Sequence, residues 1–592
     1  MLKQLLENKD TIRFFDVEVF KENSMVVFKD WEGNTVKVFS SSLDGLGKLW
    51  EQGLITEEGF EHLKSYIEDK TLIGYNNYFY DDYILYAMSM NLGQKVIKAW
   101  NDSIILKRSM VNMKKISVCP TLDTFQQIDV SSPGLKKIEG NMGVSIVESK
   151  VDFTIDRPLT PAENYEVFEY CEYDVSQTAK IFKMRKQYYK TKGDILSLLP
   201  SHLQAKGYKW NTTTIVANIL APKNKVRGGL MVSDEMLNLV PLDVQNMWQE
   251  LAVTQDYKFE TKKVIVQEAG CNVEFGWGGL HGAPLGTYEA KNVKLYDAAS
   301  LYPNILIILN GLGEKTKEYK AILDQRLALK AAGKKAEQEP LKLILNSAYG
   351  LLNNEYSKLH NPSLAFSICI YGQISLYVLS KMLHNVGCKV FNINTDGVAF
   401  IPDKGKKYKT IIDEWETQFA LNLEEDTFKY WRQRDVNNYV AVTDSDYIVT
   451  KGGDVNKFHD GGGHVFKNAN TRIIDKALVN KIVYNKSIPE TIWEHRNDVE
   501  LFQYILQAGG TYQGTFDTND QKLQNVNRVF AGKGEPYELF KKRHDGGLVK
   551  FPNTPERMIV WNDDVSEFDN AGELDLNFYN KLAEKKYESW RV

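Results

Sequence analysis

Hydrophobic and polar positions alternate along the first part of the chain. Within residues 11–40, the stretches IRFFDVEVF and SMVVF have the two-residue period of β-strands, and KEN and WEGN interrupt them. A long helix is predicted from residue 161, because Thr160 and Glu163 have the spacing of a capping box and Pro161 suits a first helical position. The first third of the chain is therefore expected to be mixed α/β.

Helical periodicity dominates residues 316–385, where the polar stretch AAGKKAEQEP predicts a loop between two helices. Glycine and proline punctuate residues 219–290, which places a domain junction in that interval. The chain has 592 residues, more than the roughly 250–300 at which single domains stop growing. Three or more structural units are therefore expected.

The composition limits the kinds of ligand and the cellular compartment that are expected for the protein. The formal net charge is −4 and the pI is about 6.2, so a phosphate-binding surface has to come from local clustering of basic residues. No run approaches the ~18 apolar residues of a membrane span, and the scattered cysteines form no C-x-x-C pair. These features predict a soluble cytoplasmic protein without disulfides or structural zinc. The cysteines are Cys119, Cys171, Cys271, Cys369 and Cys388.

Acidic residues recur within the first 174 residues. Asp16 and Glu18 are two apart on a predicted strand, so both carboxylates project from one face and favour a cation between them. The alternative for this pair is a solvated edge strand. Two later elements, LIGYNNYFYDDYIL and EYCEYD, each join an acid to a polar or aromatic residue at a spacing that also suits an ordinary helix surface. Their residues are Asn76, Asp81, Tyr170 and Asp174.

Another acid, Asp297, stands at the end of the apolar stretch VKLYD. Taken alone, it suits a helix cap. The run Asn394-Thr395-Asp396-Gly397 separates two apolar stretches, which predicts a tight hairpin with Asp396 at its tip, beside the strand of Asp297.

Basic and polar residues recur at helical spacing between these two acids. Lys342, Asn346 and Tyr349 are four and three apart, so they lie along one helix face. Arg326 and Lys330 are four apart on the preceding predicted helix. Basic residues four apart are also common on a solvated helix face.

These stretches resemble the motifs of the family B DNA polymerases, particularly the compact phage-type members. DAASLYP resembles motif A, KLILNSAYG resembles motif B, and FNINTDGVAF resembles motif C. The acidic elements around Asp16, Asp81 and Asp174 resemble the three exonuclease motifs, in family order.

The resemblance implies a role for each residue. The proofreading exonuclease would hold two Mg²⁺ or Mn²⁺ ions, with Tyr170 orienting the attacking water, and Lys150 in KVDF would match a lysine motif of phage relatives. Tyr302 would pack beneath the incoming sugar and exclude a 2′-hydroxyl. The implied metal ligands are Asp16, Glu18, Asp81, Asp174, Asp297 and Asp396, and the implied nucleotide ligands are Tyr302, Arg326, Lys330, Lys342, Asn346 and Tyr349.

DNA contacts are implied in the same way. FGWGGLHG (275–282) takes the place of a Y-x-G-G linker, with Gly276 in the tyrosine position, and VRGGL (226–230) is a rival match. NNYVAV resembles the K-x-Y element, with Asn437 in the lysine position, for which Lys451 would compensate. Motif C departs similarly, since Asn394 replaces its first acid. The implied DNA-binding residues are Asn76, Gly278, Gly279, Tyr439 and Lys451.

The implied fold class is α/β and α+β multidomain, with an RNase H-like exonuclease domain followed by a right-hand polymerase domain. The expected boundaries are 1–195 for the exonuclease, 196–290 for the linker and start of the polymerase, 291–315 and 356–480 for the palm, 316–355 for the fingers and 481–592 for the thumb. Lys342 lies 45 residues after Asp297, and Asp396 lies 46 after Gly350. These intervals leave no room for the insertions of protein-primed relatives.

The expected activity is template-directed DNA synthesis with 3′→5′ proofreading, in the replication of a phage genome. Its partners would be primer-template DNA and deoxynucleoside triphosphates, and the protein would be a monomer in the host cytoplasm. Two alternatives stay open. One is a non-catalytic DNA-binding or scaffold protein, motivated by Asn394, Asn437 and the negative net charge. The other is a nuclease whose C-terminal half only grips DNA.

Overall fold

The structure is a computed structural model that describes residues 2–106, 118–128, 133–224, 229–258, 260–461, 463–569 and 571–592. It contains an N-terminal unit built on one sheet, a central unit built on a second sheet and its surrounding helices, and a C-terminal unit with two small sheets. This is the mixed α/β multidomain architecture expected from the alternation of strand-like and helical patterns.

The N-terminal sheet has five strands in the order β3-β2-β1-β4-β5. β1 pairs antiparallel with β2 and parallel with β4, so it is an interior strand. The strands predicted within residues 11–40 are confirmed. The strands are β1 (Ile12–Val19), β2 (Ser24–Lys29), β3 (Thr35–Ser40), β4 (Thr71–Gly74) and β5 (Thr121–Asp123).

Helices cover both faces of this sheet. Phe15, Val17 and Val19 pack in one core with Ile84 of α4, whereas Phe14 faces α7 on the other side. The helices of this unit are α1 (Leu2–Glu7), α2 (Gly47–Glu51), α3 (Leu63–Ile67), α4 (Asp81–Ser89), α5 (Gln94–Ile105), α6 (Leu135–Asn141), α7 (Pro161–Met184) and α8 (Lys186–Leu196).

The predicted capping box at the start of α7 is confirmed. The Glu163 amide donates to the Thr160 hydroxyl at 3.3 Å, and the Thr160 amide donates to the Glu163 carboxylate at 2.8 Å. Pro161 occupies the first helical position, where its missing N–H removes no hydrogen bond. This local signal fixes where the helix that carries Tyr170 and Asp174 begins.

The central sheet has nine strands in the order β14-β13-β12-β9-β11-β10-β8-β7-β6, and all of its pairings are antiparallel. β9 lies inside the sheet between β11 and β12. The strands are β6 (Val264–Glu268), β7 (Cys271–Phe275), β8 (His281–Ala283), β9 (Tyr288–Ala298), β10 (Lys389–Asn394), β11 (Gly397–Ile401), β12 (Leu423–Asp435), β13 (Asn438–Thr443) and β14 (Ile448–Lys451).

The loop predicted from AAGKKAEQEP is shorter than expected. The chain leaves the helical conformation only at residues 332–334, and the following helix includes Pro340. Lysine, alanine, glutamate and glutamine favour helix, and this preference outweighs the one hydrogen bond that the proline forgoes. The helices up to this point are α9 (Ser201–Gly207), α10 (Thr212–Leu220), α11 (Asp234–Leu237), α12 (Leu242–Thr254), α13 (Leu301–Ile308), α14 (Thr316–Ala331) and α15 (Lys335–Leu352).

One apolar helix contradicts the expectation that no segment has the length and composition of a membrane span. Helix α16 (Pro362–Asn385) has 24 residues, and its most apolar window has a mean hydropathy of 1.5. Since 94% of that window is buried inside the protein, α16 is the core helix of the central unit. In the described part of the chain it is the one helix that is long and apolar enough for a span. Helix α17 (Tyr408–Phe419) follows it.

The C-terminal unit contains the sheets β15-β17-β20 and β16-β18-β19 and docks on the N-terminal unit. Arg528 is fully buried and donates to the Val144 carbonyl at 2.7 Å, and the Ile146 amide donates to the Asn562 carbonyl at 2.7 Å. Its elements are α18 (Arg472–Tyr484), α19 (Ile488–Glu494), β15 (Tyr504–Gln507), β16 (Gly514–Asp517), β17 (Val526–Ala531), β18 (Leu539–Lys542), β19 (Leu548–Lys550), β20 (Met558–Val560) and α20 (Leu576–Glu588).

Candidate active sites

The central sheet brings Asp297 and Asp396 together. Asp297 lies near the end of β9, where Gly397 of β11 and Glu424 of β12 are its direct neighbours across the two strand pairings. The Ala298 amide donates to the Asp396 carbonyl at 2.7 Å. The predicted hairpin is present, and Thr395 at its tip has a left-handed φ of 59°. Two acids that are distant in the sequence therefore share one end of the sheet.

Glycines allow this hairpin to lie close to its neighbours. A Cβ atom on Gly397 would overlap with the Asp297 carboxylate, so a larger residue there would displace that carboxylate. A Cβ atom on Gly279 would lie 2.6 Å from the Cα atom of Thr395. Gly279 thus allows its own backbone to lie close to the hairpin that carries Asp396.

The acids of this central cluster repel one another. Burial, with smaller contributions from the neighbouring Asp396 and Asp426, raises the pKa of Asp297 to about 7. Burial also raises the pKa of Asp396, and Lys451 opposes both shifts. Glu424 and Asp426 also belong to this cluster and were not predicted from the sequence, although two acids at alternate positions of a strand indicate a charged face.

A cleft of about 350 Å³ opens beside Asp396. Tyr302 and Tyr349 stack on each other along it, with ring centroids 4.4 Å apart and planes at 25°. Arg326 reaches the cleft from α14 and donates to the Ser300 hydroxyl at 2.6 Å. Four of the predicted nucleotide ligands line this cleft together with Asp396: Tyr302, Arg326, Asn346 and Tyr349.

The other two predicted nucleotide ligands do not line the cleft. Lys342 lies one helical turn before Asn346, and its ammonium group is 3.5 Å from Glu339 on the same helix. Lys330 donates to the Glu424 carboxylate at 2.6 Å, at the edge of the central acid cluster. Both side chains are thus turned to acids rather than into the cleft.

Tyr439 and Lys451 lie opposite each other on β13 and β14, next to the central cluster. Tyr439 stacks on Trp431 with centroids 4.1 Å apart, and Lys451 lies 5.8 Å from the tyrosine ring. Burial raises the pKa of Tyr439 to about 12, with further contributions from Asp297 and Asp396. The predicted DNA-binding pair therefore faces the two central acids.

The two asparagines that depart from the family motifs contact each other. The Asn394 amide donates to the Val436 carbonyl at 3.0 Å and to the Asn437 side-chain oxygen at 3.3 Å. An acid at position 394 would direct a carboxylate at that carbonyl. The two neutral asparagines therefore provide hydrogen bonds at this part of the hairpin without an ion pair.

The glycine-rich stretch before β8 packs inward. The Gly278 carbonyl accepts hydrogen bonds from Gln373 at 3.0 Å and from Cys369 at 2.6 Å, both on α16. His281 follows, 3.3 Å from the Thr395 hydroxyl, and burial lowers its pKa. The rival match VRGGL lies largely outside the described residues, since 225–228 are not described.

A second acid cluster lies in the N-terminal unit. Asp16 and Glu18 share a face of β1, and their ligand atoms and the Cys171 sulfur all lie within 4.8 Å of one another. Because β1 is an interior strand and Glu18 is 7% exposed, the alternative of a solvated edge strand is wrong. Asp81 opens α4, and Asp174 lies on α7.

Burial raises the pKa of all four carboxyls of this N-terminal cluster, to about 7 for Asp16 and well above the usual values for Glu18 and Asp81. Burial is the largest cause of the raised pKa of Asp81, and the charge of Asp16 and a hydrogen bond to Asp16 also raise it. Four buried acids this close cannot all ionise without compensating positive charge.

Lys136 of α6, which was not predicted from the sequence, supplies part of that charge. Its ammonium group bonds to Asp174, is 3.3 Å from Glu139 and lies 4.7 Å from the centre of the Tyr170 ring. The Tyr170 hydroxyl in turn donates to Asp174. No specific signal marked Lys136, because a lysine near the start of a short helix is ordinary.

Lys150, which would match a lysine motif of phage relatives, lies at the protein surface. Its side chain is 87% exposed, and the acid it faces is Glu166, at 3.8 Å.

Asn76 lies on the exposed turn before α4 with a left-handed φ of 59°, and its backbone amide donates to the Asp123 carboxylate at 2.7 Å. The turn of Asn76 therefore leads directly to Asp81.

Both clusters fit hard divalent cations. Most of their donors are carboxylate oxygens, which Mg²⁺ and Mn²⁺ prefer. Burial raises the pKa of the Cys171 thiol in the N-terminal cluster, which disfavours the thiolate that a zinc site would use. Binding a cation would remove the repulsion that keeps these carboxyls partly protonated. The residues present thus suit ions in both places.

Comparisons with known proteins add little at this level of similarity. No family model matches the chain, and no curated protein matches it. Among solved structures, the family B DNA polymerase of the hyperthermophilic archaeon Pyrobaculum calidifontis is similar over 98% of this chain and 77% of that chain, with 15% identity and a TM-score of 0.43. Function is therefore inferred from the two clusters themselves.

In EDTA, the protein should become less stable as the pH rises from 5 to 8. Burial raises the folded-state pKa of Asp16 and Asp297 to about 7, so the stabilisation from their bound protons is complete below the unfolded pKa and is lost as the pH rises through about 7. Thermal unfolding with and without Mg²⁺ measures this. Mg²⁺ should restore more stability at pH 8 than at pH 6.

The double variant Asp16→Asn/Asp297→Asn should flatten this pH dependence. The control Glu584→Gln/Glu588→Gln removes two exposed acids and should leave it unchanged. A wild-type protein whose stability in EDTA does not fall over this range would contradict the account.

Replacing Asn394 by aspartate should destabilise the protein by roughly 1–3 kcal/mol, because a donor to the Val436 carbonyl becomes a repelling acceptor. Denaturant unfolding at pH 8 in EDTA measures the loss, and Asn519→Asp on an exposed loop is the matched control. Equal stability of the two variants would show that the Asn394 contacts do not explain this residue.

Proposed function

We propose that the protein is a template-directed DNA polymerase with a 3′→5′ proofreading exonuclease. The observation that carries this proposal is the meeting of Asp297 and Asp396 beside a cleft that Tyr302 and Arg326 line. The motif spellings DAASLYP, KLILNSAYG and FNINTDGVAF support it.

Asp297 and Asp396 would hold two Mg²⁺ or Mn²⁺ ions. Such ions, when bound, neutralise developing charge on both the attacking and the leaving oxygen of a phosphoryl transfer. Arg326 offers a guanidinium at the cleft for a triphosphate, and the Tyr302–Tyr349 stack provides a rigid wall for the sugar. Lys330 and Lys342 are also proposed to bind phosphates. To do so, Lys330 would have to break its contact with Glu424, and Lys342 its contact with Glu339.

The N-terminal cluster would hydrolyse mispaired 3′ ends. Asp16, Glu18, Asp81 and Asp174 would hold the ions, while Tyr170, which is fixed by its hydrogen bond to Asp174, would orient the attacking water. Lys136 would balance the charge of Asp174 and help to fix that tyrosine.

The proposed partners are primer-template DNA, which Asn76, Gly278, Gly279, Tyr439 and Lys451 would contact, and deoxynucleoside triphosphates. The protein would act as a monomer in the cytoplasm of a host cell and replicate a phage genome. The short intervals around motif B support a primer other than a protein.

A nuclease without polymerase activity is the second candidate. This candidate needs only the N-terminal cluster, in which ligand atoms of Asp16, Glu18 and Cys171 lie within 4.8 Å of one another. Variants in each cluster separate the two candidates.

Asp297→Asn or Asp396→Asn should lower primer extension at least about a hundredfold, because each removes a charged ligand for the ions. Both variants should still digest single-stranded 3′ ends. Asp16→Asn/Glu18→Gln should show the opposite pattern, and Asp413→Asn on the exposed face of α17 is the control. Undiminished extension by either central variant would refute the polymerase proposal.

Tyr302→Ala should raise the incorporation of ribonucleotides relative to deoxynucleotides by roughly tenfold or more, because the ring no longer fills the space of a 2′-hydroxyl. The ratio of kcat/KM values for the two sugars measures this effect. Tyr302→Phe keeps the ring and should keep the discrimination. An unchanged ratio in Tyr302→Ala would contradict the steric role.

A further inference from the structure

A basic pocket lies where α6 of the N-terminal unit meets the C-terminal unit and the loop after β14. Its volume is about 740 Å³, which is within the range of ligand-binding sites. Its lining comes from α6, the loop 453–471, β15, the loop 551–553 and α20. Among the described residues that line it, none is a carboxylate and four are lysines: Lys137, Lys457, Lys585 and Lys586.

The positive charge of this basic pocket is only partly compensated. Lys457 lies 3.6 Å from Asp475, and Lys586 lies 3.3 Å from Asp454, but neither acid lines the pocket. Within the described ranges, Lys137 and Lys585 have no ion-pair partner. A concave surface with surplus lysines concentrates phosphates.

The basic pocket adjoins the N-terminal acid cluster. Lys136 and Lys137 are consecutive on α6, and the first bonds to Asp174 while the second lines the basic pocket. At the end of the same helix, the Asn141 side chain donates to the Val465 carbonyl at 2.8 Å, which ties the loop 453–471 to this helix. Because consecutive residues of a helix point in directions about 100° apart, the two sites adjoin different faces of α6.

Apolar side chains share the basic pocket with the lysines. Tyr504, Leu506, Phe551 and Leu582 form part of its wall. Aromatic and aliphatic surfaces next to lysines are the combination that single-stranded nucleic acids use, since bases pack on the former and phosphates contact the latter.

We propose that the basic pocket binds a nucleotide unit of single-stranded DNA next to the N-terminal acid cluster. The phosphate lies near Lys137 and Lys585, and the base packs against the apolar wall. The choice of single-stranded DNA over a free nucleotide rests on the proposed function, because the adjacent cluster would act on single-stranded 3′ ends. The shared chemistry of both ligands is a nucleoside phosphate.

Fluorescence anisotropy with labelled oligo(dT) in EDTA tests the proposal. Lys137→Gln/Lys585→Gln should weaken binding roughly tenfold. It should also make the slope of log K against log salt shallower by roughly 1.4, since a single strand loses about 0.7 per phosphate contact. Lys137→Glu/Lys585→Glu should weaken binding further. The matched control, Lys190→Gln/Lys581→Gln, removes two exposed lysines that do not line the pocket.

Equal affinity and equal salt slope of the pocket variant and the control variant would overturn the proposal. Titration with dTTP in EDTA distinguishes the two ligands. A pocket variant that loses dTTP binding but keeps oligo(dT) binding would also overturn it, in favour of a free-nucleotide site. Binding in EDTA needs no catalysis, so the two proposals can fail separately. If the protein binds oligo(dT) through these lysines but extends no primer, the polymerase proposal is wrong and the proposal for the basic pocket stands.

Discussion

The pairing of the β10–β11 hairpin with β9 is the constraint on which the candidate polymerase site depends. It places Asp396 beside Asp297, although the two residues are 99 positions apart. Gly397 has no side chain where the Asp297 carboxylate lies, so the strands can pair fully at that point. Gly279 allows a similar approach from the other side of the hairpin. A precise backbone geometry thus brings two like charges together, which is unfavourable unless a cation joins them.

The two acid clusters meet this electrostatic problem in similar ways. In each, a lysine from another element offsets part of the negative charge: Lys451 of β14 in the central cluster and Lys136 of α6 in the N-terminal cluster. Several carboxyls nevertheless keep a raised pKa in the folded chain. Residual repulsion of this kind gives an acidic site its affinity for divalent cations, because a bound cation removes the repulsion between the carboxylates.

Features set by neighbouring residues could be predicted from the sequence. The two-residue period put Asp16 and Glu18 on one face, and the Asn394–Gly397 turn predicted the hairpin, because both depend on local geometry. The capping box at Thr160 is another such feature. The loop between α14 and α15 was placed correctly but made too long, because the polar letters of KKAEQE favour helix as much as they favour solvent.

Features set by the packing of distant segments could not be predicted in this way. Lys136 enters the N-terminal cluster because α6 lies against α7, whereas Lys150, in the loop before α7, faces solvent. Glu424 joins the central cluster because of the register between β12 and β9. The contact between Asn394 and Asn437 also depends on tertiary structure, and it gives a physical reason for two departures from the family motifs that looked unrelated in the sequence.

Counting bound Mn²⁺ ions tests the central claim most directly. Electron paramagnetic resonance of free Mn²⁺, titrated with the wild-type protein and with Asp297→Asn/Asp396→Asn and Asp16→Asn/Glu18→Gln variants, gives the number of ions at each cluster. The account predicts that each variant loses the ions of its own cluster and keeps those of the other. Unchanged binding by the Asp297→Asn/Asp396→Asn variant would contradict it, since these two carboxylates would then not form a metal site.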